Sequence, residues 1–87
     1  MKVRFQKQTY NLILTDHAKM QMELRNLTLD DVKKIVEKGK LKQKSTVNKF
    51  WVYYKFKDRH DNLVSLSISI ENPHLIVITT LVNWRPL

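Results

Sequence analysis

Between Leu63 and Glu71 apolar and polar side chains alternate without a break. Val64, Leu66, Ile68 and Ile70 fall on one side, and Ser65, Ser67 and Ser69 on the other. Successive side chains of a strand point to opposite faces, so this run predicts a strand in a sheet with one apolar and one polar face. The apolar face needs a second layer to cover it. The serine row is expected on the opposite, open face. Strand patterns continue on either side. Lys40, Lys42 and Lys44 alternate with Leu41 and Gln43 in a short edge strand. Asn48 to Lys57 reads as a long aromatic strand, closed by a turn from Asp58 to Asn62. After the turn at Asn72-Pro73, the β-branched run from Leu75 to Trp84 forms the last strand.

The covering layer is found upstream. Thr15 is suited to N-cap a helix from about Asp16 to Arg25, with Asp16 complementing its dipole and Asn26 at its end. Thr28 and Asp31 form a capping-box pattern at the start of a second helix. Leu29, Val32, Ile35 and Val36 are its apolar stripe, and Gly39 ends it. Before these helices, Val3 and Phe5 and then Tyr10, Leu12 and Leu14 alternate with polar residues, as in a short strand or hairpin. The expected fold is α+β: two N-terminal helices on one face of an antiparallel β-meander of about four strands. The 87 residues are expected to form one domain with one modest core.

The charge is unevenly placed. Ten of the sixteen Lys and Arg residues lie between Lys33 and Arg59, against only Glu37 and Asp58, so this segment carries the net charge of +8. It also holds five of the eight aromatics. Cations neutralise phosphates and rings stack on bases, which makes single-stranded RNA or DNA the first partner to consider. Phe50, Val52, Tyr54 and Phe56 share the strand face expected in the core. Trp51 and Tyr53 share the other with Lys55 and Lys57. A bland reading also stands, in which Lys40, Lys42 and Lys44 only protect a sheet edge from aggregation.

Several chemistries are excluded or disfavoured. The chain has no cysteine, so thiolate metal sites, disulfides and thiol nucleophiles are absent. Its single glycine rules out phosphate-cradling glycine-rich loops. Three histidines without close spacing make no zinc site, and neither metal nor cofactor is expected. No apolar run approaches a membrane span, and the polar start Met1-Lys2-Val3-Arg4 is unlike a signal peptide, so a cytoplasmic location is expected.

The first helix holds the candidate chemistry. His17, Gln21 and Arg25 recur at i, i+4 and i+8, in the middle of an arc whose edges are Ala18, Met22, Met20 and Leu24. Polar groups on a core-facing arc are costly without partners. One reading is a site where Arg25 holds a phosphate and His17 moves a proton. The other is an internal hydrogen-bond network fixing the helix register. Leu14-Thr15-Asp16-His17-Ala18, then Arg25, the Leu27-Thr28 helix start and the final Ile78-Thr79-Thr80 resemble a small bacterial domain family of unknown function. Its signature helix reads His-Ala, then Arg, then Arg-Gly-Ile. That family has been grouped with toxin ribonucleases of the RelE, barnase and colicin type, which implies a RelE-like two-layer fold and metal-independent RNA cleavage. By the resemblance His17 is the motif histidine and Arg25 the second arginine; Gln21 stands in place of the first arginine and Asn26 in place of the glycine.

Such cleavage needs a base for the 2′-hydroxyl, a cation at the phosphorane and an acid for the leaving oxygen. His17 and Arg25 can take two of these roles, with Arg59, Tyr53, His60 and Arg85 as further candidates. RNA contacts are expected from Lys40, Lys42, Lys44, Trp51, Lys55, Lys57 and Arg85. The expected function is a toxin-type endoribonuclease, with an acidic antitoxin-like protein as a second partner. The alternative is a non-catalytic module that binds nucleic acid or an acidic protein.

Overall fold

A computed structural model describes residues 1–85. The chain begins with a hairpin of β1 (Lys2–Phe5) and β2 (Gln8–Leu14), turned at Gln6 and Lys7 with φ of 50° and 67°. Two helices follow, α1 (Asp16–Leu24) and α2 (Leu29–Lys38). Four strands complete the chain: β3 (Lys40–Gln43), β4 (Lys49–Tyr54), β5 (Leu63–Glu71) and β6 (His74–Trp84).

The local signals locate the helices closely. Thr15 Oγ1 accepts from the Ala18 N–H, and Asn26 takes a left-handed φ of 55° just beyond α1. At α2 the capping box is complete: Thr28 Oγ1 accepts from Asp31 N, and Asp31 Oδ2 accepts from Thr28 N. Gly39 ends α2, but its φ of −74° is ordinary. Glycine is needed there for space, because an added Cβ would lie 2.7 Å from the Tyr53 carbonyl oxygen and closer still to that of Ile35. The missing side chain lets the end of α2 rest directly on β4.

The meander of about four strands is not what forms. All six strands join one mixed sheet in the order β1-β2-β6-β5-β4-β3. The four C-terminal strands do run as an antiparallel meander. The N-terminal hairpin then extends the sheet because β2 pairs in parallel with β6, Asn11 opposite His74 and Leu14 opposite Val77. The fold remains α+β, but it is a six-stranded curled sheet rather than the RelE-like arrangement expected. Parallel partners lie far apart in sequence, so alternation reveals the strands without revealing this pairing.

Val32, Ile35 and Val36 of α2 are buried against β1, β4 and β5. They meet Val3 and Phe5, Val52 and Phe56, and Val64, Leu66 and Ile68 in one core cluster. Each such aliphatic side chain contributes about 1.5–3 kcal/mol when fully removed from water. Helix α1 instead runs beside β6, past the point where β2 ends. There Thr15 N donates to Val77 O, Thr15 Oγ1 donates to Ile78 O, and Thr80 N donates to Gln21 Oε1. Thr15 and the Gln21 side chain thereby satisfy a strand edge that no neighbouring strand covers. Among the described residues, no helix is long and apolar enough to cross a membrane.

Candidate nucleic-acid interface

The sheet face away from α2 holds the serine row, and the row is not open. Ser65, Ser67 and Ser69 are 0%, 3% and 2% exposed. Register explains what covers them. Ser65 lies opposite Tyr53, Ser67 opposite Trp51 and Ser69 opposite Lys49. The Trp84 ring lies 5.0 Å from that of Tyr53 and 5.5 Å from that of Trp51, centre to centre. Asn83 takes a left-handed φ of 53° immediately before it, a bend that breaks the alternation of β6. The three rings form a continuous aromatic group on the serine side of the sheet.

Lys44 completes the group. Its ammonium lies 4.1 Å from the centre of the Trp51 ring, within cation–π range, and donates to Ser67 Oγ. Partial burial, and secondarily repulsion from Lys49, hold its pKa below the ordinary lysine value. On β3, Lys40 is opposite Tyr53 and Lys42 opposite Trp51. None of these lysines has a carboxylate within ion-pair distance; the one such pair among the described residues is Arg59–Asp61. A positively charged surface with ring faces and few internal counter-ions is thus assembled from β3, β4 and the end of β6.

Three expected members lie outside the strands. Strand β4 ends at Tyr54, so Lys55 and Lys57 follow it as exposed residues rather than extending the strand. Arg85 is exposed just beyond β6. The core side of the aromatic strand matches expectation: Val52 and Phe56 are buried, with Phe50 and Tyr54 packed against the core.

Helix α1 is rotated from the expected arc. Ala18 and Met22 are buried, Gln21 and Arg25 half-buried, and His17 exposed. Met20 and Leu24 are 55% and 73% exposed. The polar line therefore crosses the helix margin instead of the core. Gln21 faces β6, its Oε1 accepting from Thr79 Oγ1 as well as from Thr80 N. Arg25 is the C-cap of α1, and its Nε is buried without a hydrogen-bond partner among the described residues.

Arg59 makes four hydrogen bonds. Its Nε and Nη2 donate to the two Asp61 carboxylate oxygens at 2.8 and 2.7 Å. Its Nη2 and Nη1 also donate to the carbonyls of Arg25 and Asn26 at 2.9 and 3.2 Å. A cation is favoured at these carbonyls by the helix dipole. Hydrogen bonding to Asp61 raises the Arg59 pKa, and the same bond lowers that of Asp61. The guanidinium thus ties the loop after β4 to the end of α1, while neighbouring His60 is exposed. His17, Arg25, Arg59 and Tyr53 are distributed over α1, this loop and β4.

Among the described residues, no three of His, Cys, Asp and Glu come together as metal ligands would. Trp84 and Lys49 were absent from the residues expected at the interface. The bend at Asn83 hid the first, and the register opposite Ser69 places the second.

These elements define a small α+β domain whose sheet carries a basic, aromatic surface. Residues 14–82 match the domain of unknown function DUF4258, and the chain belongs to that family. No curated protein and no solved structure matches it.

Proposed function

We propose that this domain binds single-stranded RNA across the face formed by Trp51, Tyr53, Trp84, Lys40, Lys42 and Lys44. The observation that carries the reading is Lys44, folded over Trp51 beside a buried serine with no carboxylate to neutralise it. A phosphate meets a cation there, and bases meet ring edges and faces at the adjoining aromatics. Fluorescence anisotropy with a short oligoribonucleotide tests this. Affinity should fall steeply with salt, and Trp51→Ala should weaken it by about 1–3 kcal/mol, the usual contribution of one stacked base. Salt-independent binding, or equal affinity of Trp51→Ala, contradicts the reading.

A second reading, cleavage of the bound strand, is favoured by one further observation. The row from Trp51 through Ser67 and Thr79 ends on Gln21, one helical turn after His17. A strand crossing the sheet above that row would arrive at the exposed His17 imidazole, which can exchange a proton with a 2′-hydroxyl. Together with the toxin resemblance, this predicts growth arrest on induction in bacteria, abolished by His17→Ala. RNA that stays intact with purified protein removes cleavage and leaves binding in place.

A further inference from the structure

At the end of the aromatic face, where β3 begins, β4 ends and β5 begins, lies a cavity of about 480 Å³. Lys38, Lys40, Lys55, Tyr53, Tyr54 and Leu63 line it. Its volume falls within the range of small-molecule sites. Three lysine side chains border it, and none has a carboxylate within ion-pair distance among the described residues. Tyr53 brings a phenol, whose hydroxyl can donate to an anion.

This convergence depends on the only glycine in the sequence. Lys38 and Lys40 flank Gly39, whose N–H donates to Ile35 O at 2.8 Å and whose bare Cα sits against the Tyr53 carbonyl. Any side chain at position 39 would push the two lysines away from β4. Tyr53 belongs to both regions: it lines the cavity and lies against Trp84 in the aromatic group.

We infer that this cavity receives the terminal phosphomonoester of a single-stranded RNA, with the last base directed toward Tyr53 and Trp84. A phosphomonoester carries close to two negative charges at neutral pH, whereas each internal phosphodiester carries one. Three lysines without internal counter-ions discriminate between them in the direction of the dianion. The location fits a strand end, since the sheet itself ends at this edge.

The identification of the strand as RNA rests on the binding reading above, whereas the phosphate site can be tested without it. Adenosine 5′-monophosphate, inorganic phosphate and adenosine are titrated separately while backbone amide resonances are followed by NMR. The monophosphate should shift Lys38, Gly39, Lys40, Tyr53, Tyr54, Lys55 and Leu63 together, with adenosine much weaker. Lys40→Gln combined with Lys55→Gln should weaken the monophosphate by roughly tenfold, with the amide spectrum otherwise retained. Equal response to adenosine and its monophosphate, or shifts centred elsewhere, overturns the inference. In a second arm, 5′-phosphorylated, 3′-phosphorylated and unphosphorylated oligoribonucleotides are compared. Tighter binding of one phosphorylated end supports the site and identifies the end. Equal affinity of all three refutes it and leaves the sheet-face reading intact. Monophosphate binding with no affinity for any strand supports the pocket and refutes the strand reading.

Discussion

Replacing Arg59 by alanine should unfold this domain far more readily than removing an ordinary surface arginine. The side chain makes two bonds to Asp61 and two to the carbonyls that end α1. The Asp61 pair is about a fifth exposed on both sides, and a pair of that kind contributes up to about 1 kcal/mol. The Arg25 carbonyl is partly buried, and a charged donor to such a group contributes about 1.5 kcal/mol or more. The Asn26 carbonyl is exposed, so water replaces that partner at little cost. Arg59→Ala should therefore cost about 2–3 kcal/mol, a loss of about 10–20 °C in Tm for a domain of this size. Urea unfolding followed by tryptophan fluorescence measures it directly. Asp61→Asn should lose only the smaller part, and high salt should diminish that part while sparing the carbonyl bonds. Arg59→Lys should recover little, because an ammonium cannot reproduce the fork. An Arg59→Ala variant within about 0.5 kcal/mol of the parent, the usual range for surface positions, would refute this account of the loop.

The same pair predicts an acid limb. Because the folded Asp61 carboxyl titrates below its ordinary value, its contribution is present above the unfolded pKa of about 4 and is lost as pH falls through the folded one. Asp61→Asn should flatten that part of the stability–pH curve, and an unchanged curve would contradict the assignment. Gly39→Ala should destabilise by about 1–3 kcal/mol through the clash with the Ile35 and Tyr53 carbonyls, measured by the same unfolding assay; neutrality there would contradict the close approach. Gln6 and Lys7 both adopt left-handed backbone in the first hairpin, so Gln6→Asn with Lys7→Gly should raise stability by roughly 0.5–1 kcal/mol. A lowered Tm would show that these side chains contribute more than their backbone strain costs.

Features governed by near neighbours were legible in the sequence. Thr28 and Asp31 are three residues apart, and the capping box they imply is present. The alternation from Leu63 to Glu71 defines β5 to the residue, and its apolar side faces the core. What depended on distant partners was hidden. Nothing local to Asn11–Leu14 indicates that it will lie parallel to His74–Val77. The serines read as solvent-facing because their cover comes from other strands and loops: Lys44 on Ser67, Asn48 on Ser69, and Trp84 brought against Trp51 and Tyr53 by the bend at Asn83. The rotation of helix α1 away from the expected arc has a related cause. Met20 and Leu24 are apolar, yet Gln21 satisfies the bare edge of β6 and draws the helix round, leaving both exposed. Of the candidate residues, Lys40, Lys42, Lys44, Trp51 and Tyr53 come together as one surface. Nothing local to Arg59 indicates that it will bond the carbonyls of Arg25 and Asn26.

Titrating isotopically labelled protein with an unstructured decamer RNA, and mapping amide and tryptophan indole shifts, is the most direct test of the proposed interface. The shifts should centre on Lys40, Lys42, Lys44, Trp51, Tyr53 and Trp84, diminish with added salt, and largely vanish in a Trp51→Ala, Lys44→Gln double variant. Shifts centred on α2 and the β1–β2 hairpin, or a decamer that leaves the spectrum unchanged at low salt, would contradict it.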